Sequence, residues 1–323
     1  MKILVTGAAG FIGSHTSDEL LRRGHEVVGI DNLNDYYSPQ RKRANVAEVT
    51  ASSSENRFRF LEMDIRDRGA LERLFEEHAF DSVVNLAAMA GVRVSIEDPH
   101  LYCDVNLTGT LNLLLECVKH NTGNFVLAST SSAYGNTEVI PFLETDPCDR
   151  PLAPYAASKR AAEMMAYTYH HLFGINATVL RFFTVYGPRG RPDMMAYKVL
   201  DNIFFEKPCQ LFNGGEMWRD WTYVSDIAQG VAAAAERPLG YEVINLGRGE
   251  MVKLSDFLLL IEELAGKKAV LETAPKLAAD IDRSFADIGK ARRLLDYEPK
   301  VSVAEGVRRF FEWYQSAVLS VRA

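Results

Sequence analysis

Short apolar runs alternate with amphipathic stretches through the first half of the chain. KILVT (2–6) is a continuous apolar run, the pattern of a strand buried on both faces. FIGSHTSDELLRRG (11–24) repeats its apolar positions at helical spacing and stops at Gly24. EVVGID (26–31) and FRFLEMDI (58–65) read as the next two strands, and ALERLFEEH (70–78) as a helix. DSVVNLAA (81–88) and NFVLAST (124–130) are strands separated by one long helix, LYCDVNLTGTLNLLLECVKHN (101–121). YAASKRAAEMMAYTYHHLFG (155–174) is a helix that leads into the strand NATVLRFFTVYG (176–187). Repeated strand, helix, strand predicts a parallel sheet with right-handed crossovers, an α/β doubly wound fold of the Rossmann type.

After residue 187 the pattern loosens. CQLFN, DWTYV, DIAQGVAAAAE, YEVINLG, LSDFLLLIEELAG and AVLETA mix short strands with helices, and IGKARRLLD and VAEGVRRFFEWYQSAV close the chain as helices. The expectation is a first domain over 1–187 and a smaller mixed α/β domain over 188–323 laid over the carboxyl end of the sheet. The segment 222–247 is a candidate contributor to the first domain, because YEVINLG reads as a further sheet strand. TASSSEN (50–56) reads as a surface loop.

Composition narrows the function classes. With 47% hydrophobic and 24% charged residues in 323, the chain can bury a sizeable core. A net charge of −7 argues against a nucleic-acid surface, so any anion site must be local. Cys103, Cys117, Cys148 and Cys209 have no CxxC spacing, which predicts neither a metal site nor a disulfide framework and fits a reducing compartment. No apolar run is long enough to span a membrane, and MKILVTG enters a strand without an export signal; the expectation is a cytoplasmic protein.

GAAGFIG places glycines at 7, 10 and 13 between a strand and a helix. Glycines there permit a tight turn and close approach of backbone to a pyrophosphate, whose charge the helix N-terminus favours. Alone, the pattern is equally a ligand-free turn. Asp31, 18 residues beyond Gly13 at the end of the second strand, changes the balance. A carboxylate there accepts hydrogen bonds from ribose hydroxyls and repels a 2′-phosphate, which predicts NAD rather than NADP. Asp64, near the end of the third strand run, is a candidate neighbour of the adenine.

PYAASKRAAE sets Tyr155 and Lys159 four apart at the start of a helix, on one face. An ammonium near a phenol stabilises the phenolate, and a phenolate is a competent base for an alcohol proton. ASTSSAYG (128–135) supplies hydroxyls at the end of a strand. An ordinary exposed helix face would show the same spacing. The dinucleotide pattern in the same alternating fold favours chemistry.

The order GAAGFIG, Asp31, NLAA, STSSAYG, YAASK and RFFTVYGP resembles the extended short-chain dehydrogenase/reductase superfamily over nearly the whole chain. More narrowly, DNLNDYYSP, AGVRVSIEDPH, FTVYGPRGRPDM and MWRDWTYVSDI look like nucleotide-sugar epimerases acting on UDP-glucuronate. The resemblance implies Thr130, Tyr155 and Lys159 as catalytic hydroxyl, base and lysine. It implies a lining for NAD from Gly7, Gly10, Phe11, Ile12 and Gly13. Asp31, Asn32, Asp64 and Ile65 continue that lining, with Leu86, Ala87, Ala88 and Phe182 beside Tyr155 and Lys159. Arg219 matches an arginine that holds the sugar-nucleotide diphosphate; Arg93 and Arg283 are further candidates on the substrate side. Two departures fall at the nucleotide end: Met89 stands where glutamine is usual, and LAADIDRSFAD has Ala279-Asp280 in place of a glycine-aspartate step.

The implied reaction is redox-neutral 4-epimerisation of UDP-glucuronate and UDP-galacturonate through a 4-keto sugar. ATVLRFFTVYGPRGRPD (177–193) then gains a reading. Its arginine turn is suited to an anion, and Arg191 with Thr184 and Ser131 is a candidate receptor for the sugar carboxylate. Arg189 and Arg191 as solvated loop residues, or as diphosphate contacts, are the alternatives. The rival functions are a decarboxylase giving a pentose, a UDP-glucose 4-epimerase, a dehydratase and a non-catalytic NAD-binding regulator. Thr130-Ser131-Ser132 lacks the carboxyl pair that a dehydratase needs. Helices 101–121 and 155–174 are candidates for self-pairing, so the expected assembly is a homodimer.

Overall fold

The alternating first half builds a seven-stranded parallel sheet. The structure is a computed structural model and describes residues 1–53, 56–275 and 279–319. Its first elements are β1 (Lys2–Thr6), α1 (Phe11–Arg22), β2 (Glu26–Asp31), α2 (Pro39–Ser52), β3 (Phe58–Glu62), α3 (Arg68–Glu77) and β4 (Ser82–Asn85). Short helices α4 (Val94–Glu97) and α5 (Pro99–Cys103) lead through a π-helical turn (Asp104–Gly109) into α6 (Thr110–Lys119). Next come β5 (Asn124–Thr130), α7 (Pro154–Phe173), β6 (Asn176–Phe182) and β7 (Thr184–Tyr186). The second half holds α8 (Met195–Phe204), β8 (Cys209–Phe212), β9 (Trp218–Arg219), β10 (Trp221–Tyr223), α9 (Val224–Glu236) and β11 (Tyr241–Leu246). It ends with β12 (Val252–Lys253), α10 (Leu254–Ala265), β13 (Leu271–Ala274), β14 (Arg283–Ser284), α11 (Gly289–Leu295) and α12 (Val303–Tyr314).

The strand order is β11-β6-β5-β4-β1-β2-β3. Side chains alternate across each strand, so the two faces fill separately. Ile3, Val5, Val126 and Leu180 pack with α1 and α9 on one face; Leu4, Val83, Leu127 and Val179 pack with α3, α6 and α7 on the other. The edge strand β11 comes from beyond residue 187 and pairs with β6 from Tyr241 opposite Ala177 to Leu246 opposite Phe182. A third core, with Tyr197, Phe257 and Phe310, joins α8, α10 and α12 into a smaller lobe.

Three segments depart from the sequence pattern. Thr50–Ser52 are the last turn of α2, not loop; Ser54 and Glu55 of the same stretch lie outside the described residues, as do Leu277 and Ala278 of LAADIDRSFAD. α2 itself carries no apolar stripe: it buries only Lys42, Asn45 and Val49, so periodicity could not reveal it. The helix expected over 101–121 runs without a gap but is interrupted in its regular winding by a π turn. The Asn106 side chain accepts from the Met89 N–H (2.9 Å) and donates to the Met89 carbonyl (3.0 Å), and the helix widens there into the π turn.

Candidate active site

The sheet delivers the ends of β1, β2, β4 and β5 to one cavity, and the glycine turn forms one of its walls. Gly7 has φ +67°, and a Cβ there would lie 2.8 Å from the Ala87 nitrogen; a Cβ on Gly13 would lie 2.0 Å from the Gly7 carbonyl oxygen. Only glycine fits either place. Thr6 Oγ1 donates to Asn85 Oδ1 (2.7 Å) and accepts from the Ala87 N–H (3.0 Å), which locks the turn to the end of β4.

The expected NAD lining comes together in this cavity. Gly7, Gly10, Phe11, Ile12 and Gly13 line one side, and Leu86, Ala87, Ala88 and Phe182 the other. Asp31, Asn32, Asp64 and Ile65 line one end; Tyr155 and Lys159 are also in the wall. Burial raises the Asp31 carboxyl above its ordinary range, against the Leu33 N–H and the charge of Lys42. Burial also opposes ionisation of Asp64, but hydrogen bonds from Arg66 and Asn32 hold it at about 2.

Tyr155 and Lys159 project from the first turns of α7. Burial moves Tyr155 above its ordinary value, opposed by a hydrogen bond with the Thr130 hydroxyl and by the charge of Arg191. Arg191 is thus a cation in the same wall that favours the phenolate, alongside Lys159 on the face of α7. Burial lowers Lys159 to about 8, opposed by the Glu163 carboxylate one helical turn on. Glu163 is enclosed by Ser129, Arg160 and Arg181, with the Arg181 fork at 3.1 and 2.8 Å. Asn106, absent from the sequence expectations, donates to Ser158 Oγ (2.9 Å), which donates to the Tyr155 carbonyl (2.9 Å). The π turn thus anchors the backbone of Tyr155. The available signal was Asn106 itself, in the polar-interrupted run DVNLTG.

The two arginines of the turn part company. Arg189, at φ +59°, turns to α1 and α2, bonding Asp18 (2.7 Å) and Glu48 (2.7 Å). His15 Nε2 donates to the neighbouring Pro188 carbonyl (2.9 Å). Arg191 turns inward and lines the cavity, forked onto Asp193 at 3.0 and 2.8 Å.

Arg93, Ser131, Thr184, Arg219 and Arg283 do not line this cavity. Ser131 follows Thr130 in a 3₁₀ turn, and Thr184 opens β7, its N–H donating to the Asp220 carbonyl (3.0 Å). The three arginines gather about residues 280–283. Arg93 stacks 4.0 Å over Phe212 and approaches Asp280 at 3.5 Å. Arg219 donates to the Trp218 carbonyl (2.9 Å) and the Asp282 carbonyl (3.4 Å), and Arg283 is exposed on the adjacent β14. Asp220, also missed in the sequence, fixes the strand that carries Arg219. Its carboxylate accepts from the N–H groups of Arg248 (2.7 Å), Gly249 (2.9 Å) and Ala286 (3.2 Å), and from Thr222 Oγ1 (2.8 Å).

A glycine turn, a carboxylate at the end of β2 and a tyrosine-lysine pair in one cavity agree with the match of residues 3–247 to the model of the NAD dependent epimerase/dehydratase family. The chain belongs to this family. It is similar to the UDP-glucuronate 4-epimerase of Thermodesulfobacterium geofontis (strain OPF15), with 44% identity over 321 residues, covering 99% of this chain and 98% of that one. Among solved structures it resembles UDP-glucuronic acid 4-epimerase from Bacillus cereus in complex with UDP-glucuronic acid and NAD. The TM-score is 0.90 at 36% identity, over 98% of this chain and 99% of that one. It also resembles the UDP-glucose 4-epimerase of Thermus thermophilus in complex with NAD, with TM-score 0.88 and 35% identity over 98% and 100% of the two chains.

NAD is the cofactor of this epimerase/dehydratase chain, and its residues fit the group. Lys159 is buried at the cavity wall and has no protein hydrogen-bond partner among the described residues, as an ammonium awaiting ribose hydroxyls would be. Asp31 lines the same cavity from the end of β2, where a carboxylate can accept hydrogen bonds from ribose hydroxyls.

Proposed function

We propose that the protein is a UDP-glucuronate 4-epimerase, interconverting UDP-glucuronate and UDP-galacturonate through a 4-keto sugar. The observation that carries this reading is Arg191. It sets a guanidinium in the cavity wall, close enough to Tyr155 to act on its phenol. A neutral hexose has no group that calls for a half-buried cation there; a uronate carboxylate does. The kinship with UDP-glucuronate 4-epimerases supports the same substrate.

Tyr155, as phenolate, takes the proton of the C4 hydroxyl, and Thr130 orients that transfer through its bond to the phenol. Lys159 holds the ribose next to the reacting carbon and supplies positive charge. NAD, when bound, would supply hydride chemistry at C4 that is reversed on the opposite face of the sugar, so no net oxidation would result. Arg191, with Thr184 and Ser131, receives the carboxylate. Arg93, Arg219 and Arg283 hold the diphosphate side, and residues 188–323, apart from α9 and β11, form the lobe that carries it.

A 4-keto uronate is a β-keto acid and loses CO₂ readily. Holding C6 near the plane of the carbonyl keeps the C5–C6 bond out of line with the π system and suppresses that loss. The contacts that select the substrate therefore also protect the intermediate. We further read the protein as cytoplasmic and homodimeric; exposed Met164 and Tyr167 on α7 and Leu115 on α6 support self-pairing. Among the described residues no helix is long and apolar enough to cross a membrane.

The test is incubation of the pure protein with UDP-glucuronate and NAD, with products followed by NMR. UDP-galacturonate without CO₂ is the expected result. CO₂ with a pentose product would favour the decarboxylase, and no turnover would redirect the search to UDP-glucose.

A further inference from the structure

The ion pair on the cavity wall has a geometry that carbohydrate selection alone does not require. Asp193 meets Arg191 side-on, one oxygen 3.0 Å from Nε and the other 2.8 Å from Nη2. A guanidinium offers two edges that can each take both oxygens of a carboxylate. Asp193 fills the Nε edge. Among the described residues no protein hydrogen bond reaches Nη1. The Tyr36 hydroxyl donates (3.3 Å) to the Asp193 oxygen that accepts from Nη2, and the Tyr36 ring centroid lies 5.7 Å from the guanidinium carbon. Arg191 and Tyr36 both line the cavity, whereas Asp193 does not; the arginine is pinned from behind. Pro192 links the two partners and restricts the chain between them.

We propose that Asp193 is a positioning residue that presents only the Nη1 edge of Arg191 to the sugar carboxylate, and that this single orientation governs how often the 4-keto sugar loses CO₂. The inference rests on the UDP-glucuronate reading given above. In the loss, the C5–C6 bond breaks, its electron pair enters the C4 carbonyl as an enolate, a proton adds at C5, and CO₂ leaves. The bond breaks easily only when it lies parallel to the carbonyl π system. A carboxylate gripped on one fixed edge holds C6 away from that alignment. An arginine released from Asp193 can meet the carboxylate on either edge and lets C6 swing.

Asp193→Asn keeps the shape and removes the charge. Turnover of UDP-glucuronate to UDP-galacturonate is expected to fall about tenfold, and the fraction of turnovers ending in CO₂ and a 4-keto-pentose to rise about tenfold. KM is expected not to rise, because an anion that competes for Arg191 has gone. Asp193→Glu, which keeps the charge, is expected to recover most of the turnover, and thermal melts of both variants check that they fold. Wild-type turnover and CO₂ fraction in Asp193→Asn would overturn the inference, as would a raised KM with an unchanged CO₂ fraction. If the wild type forms UDP-galacturonate and the variant matches it, only the role of Asp193 falls. If the wild type does not act on UDP-glucuronate, the substrate reading and the role of Asp193 fall together.

Discussion

Arg181 and Glu163 face each other beneath the sheet with 2% and 0% of their side chains exposed; Arg191 and Asp193 face each other at the cavity wall with 22% and 35%. The chemistry of the two pairs is the same and the surroundings differ. Glu163 also takes Ser129 and Arg160, and Arg181 stacks 4.7 Å from the Tyr134 ring centroid, so both charges are enclosed by protein, although Arg181 Nη1 is buried without a hydrogen-bond partner. The cavity pair is only partly covered, and its arginine lines the cavity. Full enclosure makes a pair part of the framework, because removing one member strands the other. Partial exposure leaves a pair that an incoming carboxylate can engage.

The comparison breaks most directly at Glu163. Glu163→Ala leaves the Arg181 guanidinium without its counter-charge and should cost about 3–5 kcal/mol in urea unfolding. Replacing both residues by methionine should recover most of that loss. A single variant within ~1 kcal/mol of wild type would show that enclosure is not what separates the pairs.

Next in size is the anchor of the turn that carries Arg191. His15 is lowered to about 4, chiefly by burial and then by the charge of Arg189, while in the unfolded chain an imidazole takes its proton near 6.5. Between those values the unfolded state binds more protons. Stability is therefore full above pH 6.5 and lost as the pH falls towards 4, by up to ~3 kcal/mol, since each tenfold loss of proton affinity on folding is worth about 1.4 kcal/mol. His15→Gln should flatten that part of the stability profile, and an unchanged slope would assign the acid sensitivity to carboxylates elsewhere.

The smallest effect sharpens the contrast. Arg191→Ala should lower kcat/KM for UDP-glucuronate by roughly 100-fold, about 2.7 kcal/mol, while changing unfolding stability by less than ~1 kcal/mol. UDP-glucose turnover, where measurable, should not fall in parallel. Equal losses on both sugars would make Arg191 a structural residue like Arg181.

Much of this was legible in the sequence where local pattern and final environment agree. The strand-helix alternation, the glycine turn, Asp31 and the Tyr155–Lys159 spacing each depend on neighbours within one or two elements. α2 was not legible because its stability comes from Lys42 reaching Asn34 and Asn45 reaching the Ala9 carbonyl, polar contacts that leave no apolar period. The π turn within the 101–121 helix depends on Met89, 17 residues from Asn106. The different fates of Arg189 and Arg191 could not be read at all. They turn on Asp18 and Glu48, more than a hundred residues away, meeting one arginine and Asp193 meeting the other.

β11 has a consequence for how such a chain could be divided. It reaches the sheet only after the chain has already crossed into the smaller lobe, and it pairs with β6 from Ala177 to Phe182. A fragment ending at Gly187 would leave β6 with an open ladder of N–H and C=O groups and would expose the face of α1 that α9 covers. The seam between the lobes is thus not a place where the protein could be spliced to a new partner. Diversity of substrate has to come from changes within the interleaved segments, such as the turn after β7 and the strands around Arg219, and not from exchange of whole modules.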